Sequence, residues 1–70
     1  MSVQNGVSRL REGHHWSQEE LARRSGISVL LIKRIENGAF TPGWDMAKAL
    51  AATLGVTIDE LARDTPYHFL

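Results

Sequence analysis

Cysteine is absent from this chain of 70 residues. That excludes a disulfide framework and a thiolate zinc site, and nothing points to an oxidising compartment. Net charge is absent as well: eight Lys plus Arg are matched by eight Asp plus Glu, so no overall basic excess draws a polyanion. Long apolar runs are equally scarce. The longest, Val29 to Ile32 and Ala49 to Ala52, fall far short of the ~20 residues of a membrane span. The opening M-S-V-Q-N-G has neither the charged nor the apolar region of a signal peptide, so a soluble cytoplasmic protein is expected.

Chemical motifs are missing too. There is no Gly-rich phosphate loop, no G-x-S-x-G elbow and no H-E-x-x-H, so neither an enzyme nor a cofactor is expected. His14 and His15 are adjacent and point apart on a helix, which suits solvated histidines near a helix end and not a metal pair. A chain this short supports one modest core without a deep cleft, so function belongs on its surface.

What remains is an ordinary globular composition, 43% hydrophobic and 23% charged, enough to fold. The charges are unevenly placed. Residues 1–38 hold Arg9, Arg11, Arg23, Arg24, Lys33 and Arg34 against Glu12, Glu19, Glu20 and Glu36, an excess of two positive charges, and residues 39–70 carry an equal negative excess. This bias fits a molecule with one face for an anionic partner.

No strand-like alternation persists, whereas helix starts and stops recur, and the chain reads as all-α. Ser17-Gln18-Glu19-Glu20 is a capping box with Trp16 and Leu21 as its hydrophobic staple; Thr57-Ile58-Asp59-Glu60 repeats the device with Val56 and Leu61. Ser28 is a further N-cap, with Ile27 able to pack on Ile32. Gly26, Gly38 and Gly55 stand where a left-handed residue ends a helix, and Thr41-Pro42 starts another with proline in its first turn. The pattern predicts five helices, at 3–14, 17–25, 28–37, 42–54 and 57–63, around one core. Val3, Val7 and Leu10 form the inner face of the first; Trp44, Ala47, Leu50, Ala51 and Leu54 form that of the fourth. Trp16 and Trp44 are expected as core and staple residues, not as platforms for bases.

The second and third helices meet through only Ser25-Gly26-Ile27, which forces a steep crossing, the helix-turn-helix arrangement. Ala22 is small at the close approach, Gly26 can take positive φ, and Leu21, Ile32 and Ile35 can fill the angle. Here the chain resembles the phage-repressor and Cro-like family of helix-turn-helix regulators, the Xre family. S-Q-E-E-L-A, the turn glycine, I-x-x-I-E-N-G and L-G-V-T-I-D-E-L match its pattern across nearly residues 7 to 62.

The resemblance implies a compact five-helix lambda-repressor-like domain over residues 1–65 that binds double-stranded DNA as a small transcriptional regulator, most simply a repressor, with helix three in the major groove. Carried over by position, Gln18 would meet backbone phosphate, aided by the helix N-terminus. Ser28, Val29, Leu30, Lys33 and Arg34 would face DNA, with Asn37 near the next phosphate, and Arg11 and Glu36 match a family ion pair. His15 stands where the family often has a helix-ending glycine.

There are departures from the family pattern. Val29 and Leu30 cannot make bidentate hydrogen bonds to bases but can pack on thymine methyls. Leu31 replaces a frequent hydroxyl residue, and Ala39-Phe40-Thr41 lacks frequent basic residues, which implies fewer phosphate contacts and a shallower salt dependence. Helical spacing cannot bury all of Val29 to Ile32, so at least one leucine should be exposed. The alternative is therefore a protein-interaction adaptor of the same fold, contacting its partner through Val29, Leu30, Leu31 and the C-terminal tail. That tail, residues 66–70, holds Tyr67, Phe69 and Leu70 and suggests a homodimer on an inverted-repeat operator.

Overall fold

The computed structural model describes residues 6–63. Among them lie five α-helices and no strand: α1 (Gly6–Gly13), α2 (Gln18–Ser25), α3 (Val29–Glu36), α4 (Trp44–Leu54) and α5 (Ile58–Arg63). The all-α arrangement is the expected one. Val3, the first residues of the predicted first helix, and Tyr67, Phe69 and Leu70 lie outside the described residues.

Local chemistry sets most boundaries. Ser17 and Ser28 stand in extended conformation, and their hydroxyl oxygens accept the amides of Glu20 at 3.0 Å and Leu31 at 3.2 Å. Each such cap is worth about 1 kcal/mol. At α5 the box is reciprocal: Thr57 Oγ1 accepts the Glu60 amide at 3.1 Å, and Glu60 Oε1 accepts the Thr57 amide at 3.1 Å. At α2 the expected reciprocity is replaced. Glu20 instead receives Arg23 and Arg24, one turn downstream, because a guanidinium outcompetes a neutral amide for a carboxylate.

The chain leaves α1 through His15, the one described residue other than glycine with positive φ, at +61°. The Trp16 amide donates back to the Arg11 carbonyl and the His15 amide to that of Glu12, the two bonds of a Schellman turn.

The fourth helix starts later than predicted. Gly43 occupies its cap position in extended conformation, and Pro42 precedes the helix with its ring fully buried. Trp44, expected inward, is 53% exposed. It shares a helical face with Ala47 but belongs to the first turn, and of these two residues at the start of α4 it is Pro42 that is buried.

The core draws on every helix: Val7 from α1, Leu21 from α2, Ile32 and Ile35 from α3, Ala47, Leu50, Ala51 and Leu54 from α4, and Leu61 from α5. Leu10, Trp16 and Ile27 pack against its margin, as do Phe40 and Val56. α2 rests on α3 and α4, while α1 touches α3, α4 and α5, so α3 is held from behind by two helices. None of the described helices is long and apolar enough to cross a membrane.

Candidate nucleic-acid interface

The turn between α2 and α3 is built from short-range bonds. Gly26 adopts φ +76°, and its amide donates to the Ala22 carbonyl at 2.9 Å, closing α2. The Ile27 amide donates to Ser25 Oγ at 3.2 Å, and Ser28 then caps α3. A left-handed residue followed within two positions by a new cap redirects the chain abruptly, and Leu21, Ile32 and Ile35 meet, fully buried, in the angle so formed.

Burial of Ile32 and Ile35 determines what α3 shows to solvent. Ser28, Lys33, Arg34 and Asn37 are exposed, Val29 and Leu31 are half-buried, and Leu30 is 54% exposed. The expectation of one exposed leucine in the 29–31 run is met by Leu30. After α3, the amides of Ala39 and Phe40 both donate to the Arg34 carbonyl, and Asn37 Oδ1 accepts the Ala39 amide at 3.0 Å. The Asn37 carboxamide keeps N–H groups, the polarity that an anion requires.

Behind α3, Arg11 and Glu36 join as a bidentate pair: Nε donates to Oε2 at 2.7 Å and the second guanidinium nitrogen to Oε1 at 3.0 Å. Their side chains are only 12% and 7% exposed. The Glu36 hydrogen bond raises the Arg11 pKa above the ordinary arginine value against the opposing effect of burial, so the charge is permanent. The same guanidinium donates to the Trp16 carbonyl at 2.7 Å. Gln18, expected to point at phosphate, donates through Nε2 to Glu36 Oε1 at 3.0 Å. Sequence spacing could not reveal that contact, because the partners lie eighteen positions apart on different helices. One network thus ties the start of α2 to α1 and to the end of α3.

The first turn of α2 also holds Glu19 and Glu20, whose charges already complement the helix dipole. Hydrogen bonds from Arg23, and more weakly Arg24, hold the half-buried Glu20 carboxyl below the usual carboxylate range. An incoming phosphate would therefore rely on the second side-chain N–H of Gln18, the one not given to Glu36, more than on the dipole.

Away from this face, His14 is not simply solvated. Its Nε2 lies 2.9 Å from the Leu54 carbonyl at the end of α4, and its ring stacks on Trp16 with centroids 4.1 Å apart. Because a carbonyl only accepts, Nε2 carries the hydrogen. The Arg24 guanidinium lies 4.4 Å from the Trp16 centroid, so the indole, which packs against the margin of the core, also carries a stacked imidazole and a cation. Among the described residues no three His, Asp or Glu side chains group as a metal site.

Two capped helices packed on each other and joined through a left-handed glycine, with the second presenting an exposed polar and apolar edge, define a helix-turn-helix protein. Residues 7–61 match the family described as helix-turn-helix, and the chain belongs to the Xre-like helix-turn-helix family. It is also similar to a protein of Methanocaldococcus jannaschii named as an uncharacterised HTH-type transcriptional regulator, with 32% identity over 59 residues, 84% of this chain and 89% of the relative. No solved structure matches significantly.

Proposed function

We propose that this protein binds double-stranded DNA sequence-specifically as a small transcriptional regulator, acting as a repressor by occupying its operator, with α3 lying in the major groove. The observation that carries this reading is the division of α3: the turn that buries Ile32 and Ile35 leaves Lys33 and Arg34 exposed beside Leu30 on one outward edge. Behind that edge the Arg11–Glu36 pair ties the last residue of α3 to α1. The regulator name of the Methanocaldococcus jannaschii relative supports the same reading. In this reading Gln18 and Asn37 meet phosphate, Ser28, Val29, Leu30 and Lys33 line the groove, and two copies present α3 to an inverted repeat.

Selection from a random duplex pool at fixed salt tests it. Arg34→Ala should weaken binding of the selected site by about 1–3 kcal/mol and relax the preference at one base pair, because arginine takes guanine as a bidentate acceptor. Gln18→Ala should instead lower affinity about equally on all sequences. The same preference profile for wild type and Arg34→Ala would remove Arg34 from the reading role. The 54% exposure of Leu30 favours a second reading, a protein-binding surface, which failure of the protein to enrich any duplex would support.

A further inference from the structure

The first turn of α3 is unusual in what it offers a base pair. Ser28 contributes its only side-chain hydroxyl, and that oxygen already accepts the Leu31 amide. The rest of the turn is hydrocarbon, with Leu30 the most exposed and Val29 and Leu31 flanking it. The nearest charged groups on the same side, Lys33 and Arg34, stand one turn further along, at i+3 and i+4 from Leu30. A leucine set against major-groove base edges cannot tell the O4 acceptor of thymine from the N4 donor of cytosine. The group it can recognise is the methyl on pyrimidine C5.

We infer that Leu30 reads the pyrimidine C5-methyl group as such, so that thymine and 5-methylcytosine are equivalent at its position and cytosine methylation creates binding sites for this protein. The inference rests on the DNA-binding reading above. Thymine and 5-methylcytosine carry the same methyl on the same ring carbon, whereas uracil and cytosine lack it. A thymine–adenine pair and a 5-methylcytosine–guanine pair each present one amino donor and two acceptors in the major groove, so an apolar turn desolvates similar groups in either. No amide or charge at positions 29 to 31 is present to reward one arrangement over the other.

The test needs no known operator. Four random duplex pools are synthesised, with thymine or uracil combined with cytosine or 5-methylcytosine, and each is selected against the full chain. Wild type should prefer thymine at the Leu30 position in the thymine/cytosine pool and cytosine at that position in the uracil/5-methylcytosine pool. It should accept both when both are methylated and neither when both are bare. Burial of one methyl corresponds to an affinity gain of about fourfold for each bound copy. Leu30→Ala, which lies outside the core, should lose this response and keep the guanine preference owed to Arg34. Leu30→Gln should acquire a preference indifferent to the C5 substituent.

A preference for the adenine-pairing pyrimidine, thymine or the uracil that replaces it, retained in all four pools, or a guanine preference that persists without any methyl response, overturns the inference and leaves DNA binding intact. Failure to enrich any sequence from any pool overturns the DNA reading and this inference with it.

Discussion

His15 holds φ at +61°, a region where a Cβ crowds the following carbonyl, and it does so where a Schellman turn normally places glycine. His15→Gly should relieve this crowding at the cost of a more flexible unfolded chain, a net stabilisation of about 0.5–1 kcal/mol. Urea denaturation would show it as a higher midpoint at an unchanged m-value; an unchanged or lower midpoint would mean that His15 makes a compensating contact. Gly26 is the opposite case. A Cβ there would meet no atom within 4 Å, so an alanine would suffer from φ +76° alone. Both positions take a left-handed φ, and while Gly26 was readable as a turn from its residue type, a histidine carries no such signal, so the helix end expected at residue 14 came within a residue of the observed one without showing the positive φ of His15.

Between elements, the decisive link is the one that Glu36 makes to Arg11 and Gln18. Nearly enclosed ion pairs behave asymmetrically, since removing one partner strands the other. Glu36→Ala should therefore destabilise by roughly 3 kcal/mol, whereas Arg11→Met combined with Glu36→Leu should recover much of that loss. A double-mutant cycle by denaturation measures the coupling, and a value under about 0.5 kcal/mol would show that the two side chains act independently. The same comparison explains the uneven legibility of the helices. Caps act over three or four positions, so the starts of α2, α3 and α5 could be read from Ser17, Ser28 and Thr57. The start of α4 could not, because Pro42 is buried ahead of the helix and Gly43 has no side-chain cap.

For the whole molecule, charge balance and assembly decide how tightly DNA is held. With zero net charge and few cations on the α3 edge, affinity for arbitrary duplex should be weak, and a second copy is the simplest means of strengthening specific binding. Two copies related by a two-fold axis would require half-sites ~34 Å apart, about one turn of duplex. Tyr67, Phe69 and Leu70 are our candidates for that contact, and they lie outside the described residues. Deletion of residues 66–70 should leave helical circular dichroism largely unchanged while weakening dimerisation and cooperative binding to an inverted repeat. Sedimentation of the intact chain as a monomer at high micromolar concentration, with equal DNA binding by the truncated form, would defeat this assignment.

Sequence alone determined the all-α class, the order of the helices and the turn between α2 and α3, because Ser17, Gly26, Ser28 and Gly55 act on backbone groups a few positions away. It also determined that a leucine near position 30 must face outward, since Ile32 and Ile35 already claim the inner side of a short helix. Which long-range partners form was decided only in three dimensions. Gln18 met Glu36, His14 met Leu54, and Trp44 was left exposed while Pro42 was buried. These outcomes depend on where separate helices come to rest, and helical periodicity carries no information about the distance from one helix to the next.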